Sequence, residues 1–134
     1  DQLVLAFNPS NNQLINIKSY EELNNHLWIV REDGSGSREY FNMFLESNKI
    51  IPNKILVLGS NSAIKEAVKN NLGITLTSSL VTEAAVANRE ICINTFNDKY
   101  YRYFSYITPK NITMSKTIQV FIDELNDFSK KTSC

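Results

Sequence analysis

Apolar and polar residues along this chain switch repeatedly between a period of two and a period near 3.6, so strands and helices should alternate. Leu3 to Phe7 reads as a short apolar strand, closed by the Asn8-Pro9-Ser10-Asn11-Asn12 loop. Ser19 followed by Glu22 is a capping-box pattern that starts a short helix through about Asn25. Leu27-Trp28-Ile29-Val30 is the next strand, and a helix with Phe41, Phe44 and Leu45 at core spacing runs from about Ser37 to Ser47. Lys54 to Leu58 is a strand after the Pro52-Asn53 break. The next helix opens at Gly59-Ser60-Asn61-Ser62, turns Ile64, Ala67 and Val68 inward, and ends near Asn70-Asn71 with Gly73 as its C-terminal stop. Ile74 to Thr77 is strand, Ser78-Ser79 caps a helix to about Ala87, and Ile91 to Thr95 and Tyr101 to Thr108 are strands. The last helix, from about Ser115, carries Ile118, Phe121, Ile122, Leu125 and Phe128 on one face. This order predicts an α/β fold with a mostly parallel central sheet flanked by helices.

Composition narrows the class. The 134 residues suffice for one core, and 43% hydrophobic against 21% charged residues is the balance of a globular domain. Fourteen basic and fourteen acidic side chains cancel to a net charge of zero, whereas phosphate-gripping proteins show a basic excess or stripe. The chain is therefore expected to make no nucleic-acid contact itself. Its apolar runs, such as Ile55-Leu56-Val57-Leu58, are too short to span a bilayer, and no signal-peptide pattern is visible, so a cytoplasmic protein is expected. Cys92, in an apolar alternation, reads as a buried thiol, and Cys134 lies in a polar tail; a reducing setting fits them better than a disulfide.

Three strand-to-helix junctions carry small hydroxyl or amide residues: Gly34 to Ser37, Gly59 to Ser62, and Thr77 to Ser79. In a parallel sheet such junctions share one edge, where helix N-termini offer unpaired N–H groups and positive dipole ends to an anion. Each serine by itself is explained as an ordinary helix cap. Three junctions on one edge, two of them with glycine, favour a ligand site. Gly34-Ser35-Gly36-Ser37-Arg38 is neither a P-loop nor a dinucleotide turn, and no Gly-x-Ser-x-Gly elbow occurs. His26, the single histidine, has no nucleophilic partner in view, and one histidine with two distant cysteines makes no zinc site. No metal, cofactor or catalytic residue is implied. Arg31 either pairs with Glu32 or faces the cleft, and Arg38, opposing the helix dipole, calls for a partner or an anion. The aromatic run Tyr100 to Tyr106 is explained by strand packing before base stacking.

Arg31-Glu32-Asp33-Gly34-Ser35-Gly36-Ser37-Arg38 resembles the Arg-Glu-x-Gly-Ser-Gly-Thr-Arg turn of LysR-type effector-binding domains, with Ser37 in place of threonine. Gly59-Ser60-Asn61-Ser62-Ala63-Ile64-Lys65-Glu66-Ala67-Val68 and Leu72-Gly73-Ile74 follow at similar spacing, and the opening Leu3-Val4-Leu5 strand with Asn8-Pro9 and the Phe121-Ile122-Asp123-Glu124-Leu125 helix fit the same order. The resemblance implies a periplasmic-binding-protein-like (type 2) α/β subdomain: residues 1–104 as the second effector-binding subdomain with its crossover strand, and 105–134 as the return strand and C-terminal helix of a first subdomain that is otherwise outside the chain.

By the same resemblance, Ser35, Gly36, Ser37, Ser60, Asn61 and Thr77 would contact a small-molecule effector, an anion or small acid. DNA would be bound through an N-terminal domain of the intact regulator, itself a homo-oligomer. The alternative is a solute-binding protein or transport component of similar fold; an enzyme would need a catalytic constellation that the residues do not show. In a chain without the first subdomain, the face Ile118, Phe121, Ile122, Leu125 and Phe128 is expected to seek cover by self-association.

Overall fold

The protein is described by a computed structural model that covers residues 1–96, 100–110 and 113–131, with Lys130 and Lys131 described by their backbone alone. It divides into two units, Asp1–Tyr103 and Phe104–Cys134. The first unit contains β1 (Gln2–Phe7), two 3-10 helices (Pro9–Asn16 and Tyr20–Asn25), β2 (Leu27–Val30), α1 (Gly36–Ser47), β3 (Lys54–Val57), α2 (Asn61–Lys69), β4 (Thr75–Ser78), α3 (Ser79–Ala87), β5 (Cys92–Asn94) and β6 (Tyr100–Tyr101). The second contains α4 (Lys116–Lys131).

The α/β alternation read from the sequence is present. β2 and β3 pair in parallel, Leu27 opposite Lys54 through Val30 opposite Val57, and Trp28 makes a parallel bridge to Ile74 at the head of β4. The parallel part of the sheet is thus β3, β2 and β4, and these are the strands that feed α2, α1 and α3. β1 runs against all of its partners: β4 (Leu3 opposite Ser78), β5 (Leu5 opposite Asn94) and β6 (Gln2 opposite Tyr101). The sheet is therefore mixed, with an antiparallel half built around β1.

Alternation along the strands divides the core into two layers. Leu3, Leu5 and Phe7 of β1, Trp28 and Val30 of β2, and Ile74 and Leu76 at β4 pack with Phe41 and Phe44 of α1. Aromatic rings fill this layer: Trp28 lies 5.2 Å from Phe41, and Phe44 lies 4.9 Å from Phe96 and 5.2 Å from Tyr100 between ring centres. The Trp28 indole N–H donates to the Leu23 carbonyl at 3.1 Å, so burying the ring leaves no orphaned donor. On the opposite face, Ala6 and Ile29 pack against Ile64, Ala67 and Val68 of α2, Ala85 of α3 and Ile91.

Several sequence expectations need correcting. α2 ends at Lys69 with Asn70 as its C-cap, as expected near Asn70-Asn71, but Gly73 is not the stop: Asn71, at φ 57°, turns the chain, with its own N–H bonded to Val68 and that of Leu72 to Ala67. α1 and α3 end the same way on Lys49 (φ 55°) and Arg89 (φ 59°), so none of the three uses glycine. Gly73 is needed for a different reason. A Cβ there would stand 2.2 Å from the Leu27 carbonyl oxygen, because β4 enters the sheet hard against β2. The strand expected from Tyr101 to Thr108 is reduced to Tyr100–Tyr101, since its register against β1 runs out where the Arg102 N–H meets the Asp1 carbonyl. The segment from Asn8 is not loop but 3-10 helix, with the Asn8 side chain accepting from the Ser10 N–H. Cys92 is half-buried at the edge of the aromatic layer rather than fully buried, and Cys134 lies outside the described residues.

Candidate functional site

The parallel register puts the ends of β2 and β3 side by side, with Val30 opposite Val57. The turns Arg31 to Ser35 and Leu58 to Ser60 therefore emerge next to each other on one edge of the sheet, and β4, parallel to β2, delivers Thr77 and Ser78 to the same edge. Three helices begin there: α1 at Gly36, α2 at Asn61 and α3 at Ser79.

Two of the expected site serines serve as helix caps. The Ser35 hydroxyl oxygen accepts from the Arg38 N–H at 3.2 Å, and that of Ser60 from the Ala63 N–H at 3.1 Å. Capping uses the hydroxyl as acceptor and leaves its O–H as a donor towards the open edge. The third cap departs from expectation. Ser78 occupies the N-cap position of α3, but its hydroxyl donates to the Asp1 carboxylate at 2.9 Å and makes no capping bond. Asp1 is held in turn by Arg102, whose Nε donates to Oδ2 at 2.9 Å. Neither residue was singled out from the sequence, because the contact spans the length of the unit.

Gly36 and Gly59 stand exposed, and a Cβ added to either would meet nothing within 4 Å, so the chain leaves open space in front of both turns. Gly34 has φ 85°, a conformation that glycine adopts without strain. Arg31 resolves in favour of the ion pair: Nε and Nη2 grip the two Glu32 oxygens at 2.8 and 2.7 Å. This grip, with a backbone hydrogen bond at Glu32, holds the Glu32 carboxyl down at about 2. Arg31 also donates from Nη1 to the Asn61 Oδ1 at 3.3 Å, tying the first turn to the second. Arg38 finds the partners its position demands: Asp33 at 3.4 Å, the Arg31 carbonyl at 3.2 Å and the face of Phe41 at 5.6 Å.

Of the six residues expected to meet a ligand, Asn61 and Thr77 line one small cavity between α2, α3 and β4. Ser35, Gly36, Ser37 and Ser60 lie along the same edge, and among the described residues no hydrogen bond joins them to that pair. His26 caps the second 3-10 helix, and burial pushes its imidazole below the usual range against an opposing pull from Glu22. Among the described residues no group of three or more His, Cys, Asp or Glu is placed to hold a metal, and no helix is long and apolar enough to cross a membrane.

A family model, the LysR substrate binding domain, matches residues 1–130. The chain belongs to that family. The HTH-type transcriptional regulator CysL of Bacillus subtilis is 37% identical over 110 residues, which are 80% of this chain and 36% of CysL. The chain thus spans about a third of the length of that curated relative. The regulatory domain of CcmR from Synechocystis PCC6803, in complex with 2-PG, superimposes with a TM-score of 0.73 over 92% of this chain and 61% of that one, at 23% identity. The effector binding domain of QuiR in complex with shikimate gives 0.72 over 97% and 62%, at 21% identity. At these identities the structural matches show the fold, which is the periplasmic-binding-protein-like α/β fold of LysR regulatory domains.

Proposed function

We propose that this chain is the effector-sensing portion of a LysR-type transcription regulator, binding a small anionic molecule at the strand edge to control DNA binding by the intact protein. One observation carries the reading: parallel β2, β3 and β4 bring the N-termini of α1, α2 and α3 to one edge, with exposed glycines in front of two of them. Their summed dipoles and free N–H groups favour a negative charge. Ser35, Gly36 and Ser37 at the first turn, Ser60 and Asn61 at the second and Thr77 at the third are the residues assigned to the effector. The 2-PG and shikimate held by two domains of the same fold support a small-molecule effector.

In this reading the chain has no catalytic role, DNA is reached through an N-terminal domain of the parent protein, and the parent works in the cytoplasm as a homo-oligomer. Ligand binding shifts the balance between two arrangements of the regulator only by its difference in affinity for them. The test is a thermal-shift screen of the parent regulator with small organic and phosphate acids, followed by calorimetry and a DNA band-shift titration with any that stabilise it. A compound that binds the wild type, binds Ser60→Ala more weakly and alters the band shift supports the reading. Binding without any change in the DNA titration would sink it.

A further inference from the structure

Of the three serines that precede α1, α2 and α3, Ser78 alone makes no capping bond. Its backbone is extended, as an N-cap requires, yet its hydroxyl turns away from the helix and donates to Asp1 Oδ1 at 2.9 Å. The strand register explains the reach. At its start β1 lies between β4 and β6, with Leu3 opposite both Ser78 and Tyr100. The Asp1 carboxylate therefore stands between the two neighbouring strands. One oxygen takes the Ser78 hydroxyl, and the other takes the Arg102 guanidinium, from Nε at 2.9 Å and from Nη2.

The cluster is shielded from water: the Asp1 side chain is 2% exposed, that of Arg102 16%, and Ser78 4%. A buried ion pair adds little net stability over apolar packing, but weakening one side of it leaves the other charge poorly compensated. What this pair holds is β6. That strand has only two residues, Tyr100 and Tyr101. Beyond them the Arg102 N–H donates to the Asp1 carbonyl at 2.8 Å, and the Asp1 nitrogen donates to the Arg102 carbonyl at 3.2 Å. A pairing so short opens readily unless its end is gripped. Phe104, two residues on, begins the second unit. Ser78 also has a single proton to give, so donating it to Asp1 withdraws it from anything bound beside Thr77.

We propose that Ser78, Asp1 and Arg102 form a latch through which occupation of the strand edge is felt at β1 and β6. With the edge empty, Ser78 completes the Asp1 carboxylate and β6 stays paired to β1. An anionic group beside Thr77 draws the Ser78 hydroxyl to itself, leaves the carboxylate short of a donor, and loosens β6 where the chain leaves the unit. Asp1 and Arg102 are positioning residues that act through Ser78. The switching role rests on the effector reading above; the grip of Ser78 on the pairing of β1 with β6 does not.

Backbone amide exchange of the chain without any ligand tests the grip, and DNA band shifts of the parent regulator test the switch. Ser78→Ala removes the donor without stranding a charge, so the unit should still fold. Exchange at the Arg102 N–H should rise about tenfold, the loss expected of one hydrogen bond to a charged group, while the pairing of β2 with β3 keeps its protection. Ser78→Thr, which restores the hydroxyl, should restore wild-type exchange. In the parent regulator without added ligand, Ser78→Ala imitates the occupied edge and should change DNA affinity about fivefold or more, whereas Ser78→Thr should not. Unchanged exchange at Arg102 in Ser78→Ala overturns the proposal. So does a rise spread evenly over the unit, which a merely structural bond would give. Raised exchange at Arg102 with an unaltered DNA titration overturns the switch. Should Ser78→Ala fail to fold, Arg102→Lys, which keeps the charge but gives up the two-pronged grip, decides by the same two measurements. None of these measurements adds a small acid, so a failure here leaves the effector screen standing, and a failed screen leaves the grip of Ser78 standing.

Discussion

Arg31 donates from Nη1 to the Asn61 side-chain oxygen at 3.3 Å, joining the turn after β2 to the first residue of α2. The same guanidinium is fixed on its other side by the Glu32 carboxylate, so one cation orients both turns of the candidate site. Asn61→Ala removes the acceptor that Arg31 holds and one of the groups assigned to the effector. Affinity for whichever small acid stabilises the parent regulator should fall about tenfold, or about 1.4 kcal/mol. Asn61 is half-buried, and its replacement should leave the unfolding temperature nearly unchanged. Calorimetric titration of both proteins checks this, and equal affinities would take Asn61 out of the site.

Glu32 makes the site sensitive to acid. Its carboxyl is lowered from 4.5 to about 2, first by the hydrogen bond from Arg31 and then by the backbone bond. A group with a lowered folded value stabilises the protein fully above its unfolded value and loses that contribution as pH falls. The contribution of Glu32 should therefore be complete above about pH 4.5 and vanish on approach to about pH 2. Urea unfolding of wild type and Glu32→Gln should show a stability difference at neutral pH that shrinks through this window. The Glu32 side chain is 46% exposed, so the difference should be small and diminish in high salt. A pH-independent difference would mean that Glu32 acts by packing rather than by charge.

Gly73 offers a sharper structural test. Its Cα lies so close to β2 that a methyl group would meet the Leu27 oxygen at 2.2 Å and the Ile29 side chain at 3.1 Å. The Ile74 N–H donates to that same Leu27 oxygen at 2.9 Å, and the Ile29 N–H donates to Ile74 at 2.8 Å, so both bonds that join β4 to β2 would be disturbed. Gly73→Ala should cost about 1–3 kcal/mol, as overpacking of a closed contact does. Gly59→Ala, with nothing within 4 Å of the added carbon, should cost far less. Denaturant midpoints for the pair would settle the comparison, and similar losses would contradict the close approach.

What the sequence made legible follows from how local each signal is. The helices α1, α2 and α3 could be read because apolar spacing and capping serines act within a few residues, as with Ser35 and Arg38 or Ser60 and Ala63. The reversed direction of β1 could not, because a run such as Leu3-Val4-Leu5 is equally apolar in either orientation. Nor could Ser78: its local role is a cap, and only the fold brings Asp1 and Arg102 round to claim the hydroxyl. Gly73 reads from its spacing as a helix stop, and only the fold shows the close approach to the Leu27 oxygen that requires it.

α4 provides the last test, and it concerns the second unit alone. Ile118, Phe121, Leu125 and Phe128 recur at helical spacing, and all four side chains are exposed. Among the described residues of that unit, α4 is the only helix or strand. A contiguous apolar stripe of this kind does not remain in water when another surface is available. In a solution of the isolated chain that surface is the same stripe on a second copy, and pairing two identical faces about a twofold axis closes the assembly. Sedimentation should therefore show concentration-dependent association of the 134-residue chain, and Phe121→Lys with Phe128→Lys should return it to a monomer. The double change lies outside the Asp1–Tyr103 unit. A wild-type chain that sediments as a strict monomer with α4 still accessible to solvent would refute association through this face.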